Sequence, residues 1–447
     1  MFYRLFRAFI SICLRVYYRK IETPGLESVP RQGPLLLIAN HGNALLDALL
    51  LLSLISRPIS FLAKHTLFRM PVVGFVLRRI GGLPVYRRED APGESRRNEE
   101  TLQACRRILQ SGGAICLFPE GISHDRPRLS TLKTGAARIF LLASGASDAP
   151  VRLIPVGINF ESKTAFRSRV LIVFAAPVPT ADLLDRDGPP EAVEELTARM
   201  EAALSALVPG LDSWEELTFI RGVKDLYLGG RSATLAEEAP AIKRFIAEYQ
   251  AYRASEPSAV REIRDRWEAY RRRLAELSVS DEEVDLAETP GRTALLLLRS
   301  GLVVLLLALP AAAGFLVHVI PYSLCGPLER RMNRHPDLSA TIKLMAGLAF
   351  FPLTYLIFAV VLYALAGFRA LVAGIILLPA TGWAALVVAD HFALLLRAAR
   401  ALGLASRVGG AIGEIRAGRK EILDKVMHLY QSMPLQRPFT GTPEARR

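Results

Sequence analysis

Apolar and polar positions divide this chain into two regimes. From residue 31 to about 180, short apolar runs alternate with charged stretches of helical period. The runs 35–39, 114–117, 153–158 and 170–174 are apolar throughout and of strand length, as in strands covered on both faces. GGLPVYRR, at 81–88, adds a short strand after its Gly-rich turn. Between them, 44–52, 67–79, 96–110 and 133–142 carry helical spacing, and the third ends at Ser111-Gly112-Gly113. This alternation predicts an α/β fold, a mixed sheet flanked by helices, over 30–210.

Outside that stretch the period is helical. Residues 191–207 and 236–277 are charged and helical, with Trp214, Phe219, Tyr227, Phe245, Tyr249, Trp267 and Tyr270 spread through the region. They predict a helical connector over 211–290 whose aromatics form its core. Residues 1–29 open with a basic amphipathic helix. It either lies in a membrane interface or packs on the α/β domain; Arg7 and Arg15 break any signal-peptide core.

The last third is a C-terminal α-helical membrane region, 291–400, followed by a basic tail, 401–447. Residues 344–366 and 370–389 are uncharged apolar runs of 23 and 20 residues, long enough to cross a bilayer. Only Gly367-Phe368-Arg369 separates them, so they predict a hairpin. Residues 295–320 are a third apolar stretch holding Pro310 and Gly314. Basic residues flank all three on sides that favour the cytoplasm. Two readings therefore stand for 295–320: a re-entrant segment bending at 310–314, or a plain third span.

Composition changes this picture only slightly. Hydrophobic residues make up 51% of the chain, and 56 Lys and Arg against 43 Asp and Glu give a net charge of +13. The excess suits anionic membrane surfaces and anionic substrates. No stacking-aromatic or basic recognition motif supports nucleic acid. The four cysteines have neither paired nor metal spacing, consistent with a reduced, cytosol-facing domain.

Candidate chemistry clusters at strand ends. His41 follows the strand 35–39, and Asp47 sits on the helix after it. A neutral imidazole held by a carboxylate can take a proton from a hydroxyl. No serine or cysteine nucleophile follows at a useful spacing, so the base would act on a substrate hydroxyl. A metal hydrolase using His41 and Asp47 as ligands would need further His or Cys near them, and none follows. Arg87 lies after GGLPV, where a guanidinium can grip phosphate. FPEGISHD, at 118–125, follows the strand 114–117, and IPVG follows the start of 153–158. Such strand ends share one edge of an α/β sheet.

Together, His41…Asp47, GGLPVYRR, FPEG and PVG resemble the four motifs of the glycerophospholipid acyltransferase superfamily, in order, over roughly 30–180. Five residues separate His41 from Asp47, one more than is usual there. That spacing, Asn43 and FPEG-x-SHDRP look like the branch of fungal membrane-bound glycerol-3-phosphate and dihydroxyacetone-phosphate acyltransferases. The resemblance implies an integral membrane O-acyltransferase with a cytoplasmic catalytic domain, His41 and Asp47 being its catalytic pair. It implies acyl-CoA or acyl carrier protein as co-substrate, a glycerol-phosphate acceptor, and no other cofactor or metal. Glu120, Gly121 and Ser123 would bind the acceptor, and Arg87, helped by Lys133, its phosphate. The Asn43 amide or backbone N–H groups would hold the oxyanion. Pro155 and Gly157 would shape the donor side. A structural ion pair, with Arg87 for instance, is the alternative for Glu120. Lysophosphatidate is the alternative acceptor, and a membrane scaffold that kept the fold is the non-enzyme alternative.

Overall fold

A computed structural model describes residues 1–86, 97–145, 149–184, 189–229, 234–333, 336–407 and 409–432. Contacts divide the chain into two units. The first comprises Met1–Leu217, Ala233–Ala239 and Asn333–Ile342; the second comprises Thr218–Ser232, Pro240–Met332 and Lys343–Arg447.

The first unit is built on a seven-stranded sheet. Its strands are β1 (Lys20–Glu22), β2 (Leu35–Ala39), β3 (Ser60–Lys64), β4 (Leu83–Val85), β5 (Ala114–Leu117), β6 (Arg152–Phe160) and β7 (Arg169–Phe174), in the order β1-β7-β6-β2-β5-β3-β4. All neighbours are parallel except β6 and β7. The mixed sheet expected from the pattern is therefore observed. β2 is buried at every position, which is why its sequence is apolar without alternation. From the adjacent strands β2 and β6 the chain continues to opposite sides, β2 to β3 and β6 to β7. That makes the C-terminal end of β2 a switch point where an α/β sheet opens a crevice.

Helices of the first unit are α1 (Phe2–Tyr17), α2 (Leu45–Leu54), α3 (Pro71–Arg79), α4 (Arg97–Gln110), α5 (Gly135–Ser144), α6 (Ala181–Leu184) and α7 (Pro189–Ser205). Cys105 and Leu109 of α4, Ile139 and Phe140 of α5, and Leu196 and Met200 of α7 form one core with Leu36, Ile115 and Leu153 of the sheet. On α1, Ile10, Leu14 and Tyr17 are buried, and the helix packs on α2. Its other face leaves Leu5, Phe9, Ile12 and Val16 exposed. Of the two alternatives for this helix, packing on the α/β unit is thus observed. The helix expected over 67–79 starts at Pro71, after a 3-10 turn over His65–Arg69, because proline favours the first helical position.

The second unit is helical: α8 (Trp214–Leu228), α9 (Leu235–Ser255), α10 (Pro257–Glu276), α11 (Asp281–Glu288), α12 (Pro290–Met332), α13 (Ser339–Arg407) and α14 (Gly409–Ser432), of which α8, α9 and α13 start in the first unit. The aromatics form a core, as expected. Phe219 lies edge-on to Tyr249 and Trp267, and a Cβ on Gly222 would come 1.9 Å from the Trp267 ring. α12 and α13 hold segments long and apolar enough to cross a membrane, Pro290–Met332 and Ser339–Gly403. Gly367, at φ +73°, breaks α13 into arms of 339–366 and 368–407, the hairpin expected from the sequence. A Cβ on Gly374 would lie 2.4 Å from Leu362, so the arms touch across the turn.

Two expectations need correction. The re-entrant bend at 310–314 is absent, and α12 runs through Pro310 and Gly314 as one 43-residue helix. Proline inside a long helix kinks it without ending it, and Gly314 serves packing. A Cβ there would stand 2.0 Å from the Thr381 carbonyl oxygen. The second correction concerns 401–447, expected as a basic tail. Its residues 409–432 are α14, which packs on α10. Ile415, Ile422, Val426 and Leu429 are buried there at helical spacing. The basic residues between them pair with acids elsewhere: Arg419 with Asp281 and Asp285, Arg416 with Glu288, and Lys425 with Glu262.

Candidate active site

The C-terminal end of β2 delivers Asn40 and His41. The Asn40 amide bridges to β6, donating to the Ile158 carbonyl (3.0 Å) and accepting from its N–H (2.7 Å). This prolongs the ladder by one side chain and fixes where the chain leaves the sheet. Ala44, at φ +45°, then turns it into α2. Asp47, in the first turn of α2, is fully buried. One of its oxygens, Oδ2, accepts the Asn43 N–H (2.7 Å) and meets His41 Nδ1 at 3.0 Å. A carboxylate at a helix N-terminus is stabilised by the free N–H groups and dipole there.

Asp47 is an acceptor, so His41 carries its proton on Nδ1 and presents the Nε2 lone pair. The His41 side chain keeps 17% of its surface open. Its ring stacks on Phe118 at 4.1 Å between centroids and 12° between planes, leaving little freedom to rotate. Burial, with Tyr17 and the Asp47 charge adding to it, pushes the Tyr18 phenol well above its ordinary range. Burial and then Asp47 act likewise on the Cys116 thiol. The Asp47 charge thus sits in dry surroundings, where its hold on a developing imidazolium is strong.

The end of β5 supplies the other wall. Glu120, 2% exposed, accepts the His41 N–H (2.6 Å) on Oε1. Its Oε2 takes the Ser130 N–H (2.7 Å) and meets His124 Nε2 at 2.5 Å. The His124 N–H returns to the His41 carbonyl at 3.2 Å. Both Glu120 oxygens are therefore committed to protein donors, and its partner is His124. Gly121 turns the chain at φ +73°, and the Lys133 side chain lies across it, within 3.0 Å of where a Cβ would stand. Lys133 is exposed. Asn43 is 1% exposed and its amide faces the Lys163 carbonyl at 3.4 Å. Ser123 donates to Asp337 at 2.5 Å. Arg87 lies outside the described residues.

An imidazole oriented by a buried carboxylate, open at Nε2, can deprotonate a bound hydroxyl. Residues 20–159 match the Acyltransferase family model. An uncharacterized acyltransferase of Schizosaccharomyces pombe is 24% identical over 62% of this chain and 54% of its own. The Saccharomyces cerevisiae protein named glycerol-3-phosphate O-acyltransferase 2 is 24% identical over 60% of this chain and 39% of its own. A chloroplastic 1-acyl-sn-glycerol-3-phosphate acyltransferase of Arabidopsis thaliana is 30% identical over 33% of this chain and 39% of its own. The chain thus spans about half or less of the length of these relatives.

Around this site, sequence reasoning missed Lys163 and the role of Trp214. Lys163, 8% exposed, donates to the His124 carbonyl (3.1 Å) and Asp125 (2.9 Å), and its ammonium lies 5.4 Å from the Trp214 ring centre. Trp214 also donates to Asp125 at 3.1 Å. Asp125, Lys163 and Trp214 thereby clamp the FPEGISHD turn against the His41–Asn43 turn. Their sequence separation left no local signal. Gly157 was expected on the donor side, but it serves packing. A Cβ there would lie 2.5 Å from Leu207 Cβ, so the glycine lets the end of the α7 region approach β6.

Proposed function

We propose that the protein is a membrane-bound O-acyltransferase that moves a fatty acyl group from a thioester to a hydroxyl of glycerol 3-phosphate or dihydroxyacetone phosphate. The observation that carries this is the His41–Asp47 pair, with Nδ1 held by the carboxylate and Nε2 open. His41 Nε2 takes the proton as the hydroxyl oxygen attacks the thioester carbonyl. The C–O bond forms, the C–S bond breaks, and the imidazolium returns the proton to the departing thiolate. Asp47 keeps the tautomer and stabilises the imidazolium. Glu120 acts through His41, fixing its backbone. Arg87 and Lys133 are assigned to the acceptor phosphate, and acyl-CoA or acyl carrier protein is the donor. The two long apolar helices and the exposed apolar face of α1, rimmed by arginines and free of acids, support attachment to a bilayer with the catalytic domain on the cytoplasmic side.

A second acceptor, lysophosphatidate, is favoured by the likeness to proteins named for that substrate. A donor-by-acceptor activity matrix on membranes holding the full chain separates the two. His41→Ala should cut turnover about 10²–10⁴-fold, the worth of a positioned base, with membrane integration unchanged. Asp47→Asn should lower it less. Near-normal turnover in His41→Ala would sink the mechanism.

A further inference from the structure

The connection between α12 and α13 belongs by its contacts to the first unit, although it joins two helices long enough to cross a membrane. Residues 336–342 reach both turns of the candidate site. Asp337 Oδ2 accepts the Ser123 hydroxyl proton, 214 residues away in sequence, at 2.5 Å. The Thr341 hydroxyl donates to the Asn43 carbonyl, 298 residues away, at 3.4 Å. Between them Ser339 and Ala340 are 4% and 1% exposed. Ser123 adjoins His124, whose N–H holds the His41 carbonyl, and Asn43 is two residues past His41. The segment is therefore strapped to the two loops that carry the base.

This strap has a chemical consequence for Ser123. A serine hydroxyl has one proton to give and two lone pairs to offer. The carboxylate of Asp337 can only accept, so it takes that proton. Ser123, next to the residue whose N–H holds the His41 carbonyl, is left as an acceptor alone. It can then receive a hydrogen bond from a substrate O–H, but it has nothing to donate to a substrate carbonyl. The Asp337 charge beside it also repels a phosphate.

We propose that Asp337 is a specificity-determining residue, one that sets Ser123 to read the non-reacting C2 oxygen of the acceptor as a hydroxyl. The inference rests on the acyl-transfer reading above and narrows it. Glycerol 3-phosphate bears a C2 hydroxyl that can donate to Ser123. Dihydroxyacetone phosphate bears a C2 ketone that cannot. A polar group built to meet a hydroxyl discriminates strongly against the analogue that lacks it.

The test is the ratio of kcat/KM for glycerol 3-phosphate to that for dihydroxyacetone phosphate, with one acyl-CoA donor, on membranes holding the full chain. A ratio is independent of how much protein is correctly folded, and an effect on folding alone would not move it. The unaltered protein should favour glycerol 3-phosphate by about tenfold or more. In Asp337→Asn the side-chain amide can donate to Ser123 Oγ, freeing the serine proton for a ketone, so the ratio should fall about tenfold. Ser123→Ala removes the reader and should bring the ratio toward one. Equal use of both acceptors by the unaltered protein, or a ratio unmoved within about twofold in both variants, would overturn the assignment while leaving the acyl-transfer reading in place. No transfer to either acceptor would overturn both.

Discussion

Leucine lies inside the first unit and mostly on the outside of α12 and α13. In the first unit Leu36, Leu50 and Leu109 are 0% exposed, and Leu153 is 1%. On α12 and α13, Leu305, Leu309 and Leu365 are 74%, 84% and 80% exposed. Apart from Pro321 and Leu344, what those helices bury is small or polar, such as Thr293, Ser300, Ala311 and Gly314 on α12, and Ala346 and Ala384 on α13. The contrast is the one that the bilayer attachment proposed above requires. In water, apolar area is driven inward. In lipid, leucine gains nothing by leaving the tails, and helices associate through close backbone approach and hydrogen bonds. Gly314 against Thr381, Gly382 against the His318 ring, and His391 meeting Ser300 at 3.2 Å are contacts of that second kind.

The contrast makes its largest prediction for paired leucine truncations. Leu153→Ala opens a cavity between the sheet and α7 and should cost about 2–5 kcal/mol. Leu309→Ala removes a side chain with few neighbours and should stay within about 0.5 kcal/mol. Both can be read by proteolytic susceptibility of the full chain in lipid nanodiscs, with one cleavage site in each unit. A loss at Leu309 comparable to that at Leu153 would mean that this face of α12 is covered, and the comparison would break.

This difference was partly legible beforehand. β2 and β5 were bounded to the residue, because a strand buried on both faces has no polar position to blur its ends. The polar β1, reading Lys-Ile-Glu, was missed, as was β3, Ser60–Lys64. Neither carries a continuous apolar run, and only pairing with β7 and β5 makes them strands. The His41–Asp47 contact could be anticipated because both groups sit within one strand-to-helix turn. The use of Glu120 could not, since one of its partners is a backbone N–H 79 residues earlier. Asp337 gave no sign at all, lying as it does between two apolar runs. On α14 the stripe from Ile415 to Leu429 was hidden by the basic residues between its members.

Gly314 sharpens the comparison at intermediate size. In the first unit an added side chain on an exposed helix face is harmless, but the buried face of α12 has no room for one. Gly314→Leu must push against the Thr381 backbone, which cannot swing away as a side-chain tip could. Overpacking of this kind costs about 1–3 kcal/mol. The expected outcome is a lower midpoint for thermal unfolding of the second unit in nanodiscs, with His41-dependent chemistry kept at low temperature. An unchanged midpoint would show that α12 and α13 are not held together at this position.

The smallest effect should come from the hydrogen bonds that replace leucine packing. The carbonyl of Gly314 lies 2.6 Å from His318 Nδ1, so that nitrogen carries the proton and donates. Nε2 is then an acceptor, and the Tyr355 hydroxyl stands 3.0 Å away to supply its proton. Tyr355→Phe leaves the ring stack and volume in place and strips Nε2 of its donor. In water-filled surroundings the nitrogen would find a replacement, and the change would be silent. Among apolar helices it has none, yet interhelical hydrogen bonds in membranes average only about 0.6 kcal/mol, because the separated helices find partners too. A loss near that figure, smaller than that of Gly314→Leu and read in the same unfolding assay, is the expected result. A loss larger than that of Gly314→Leu would reverse the order and make the His318–Tyr355 bond, instead of close backbone approach, the main tie between these helices.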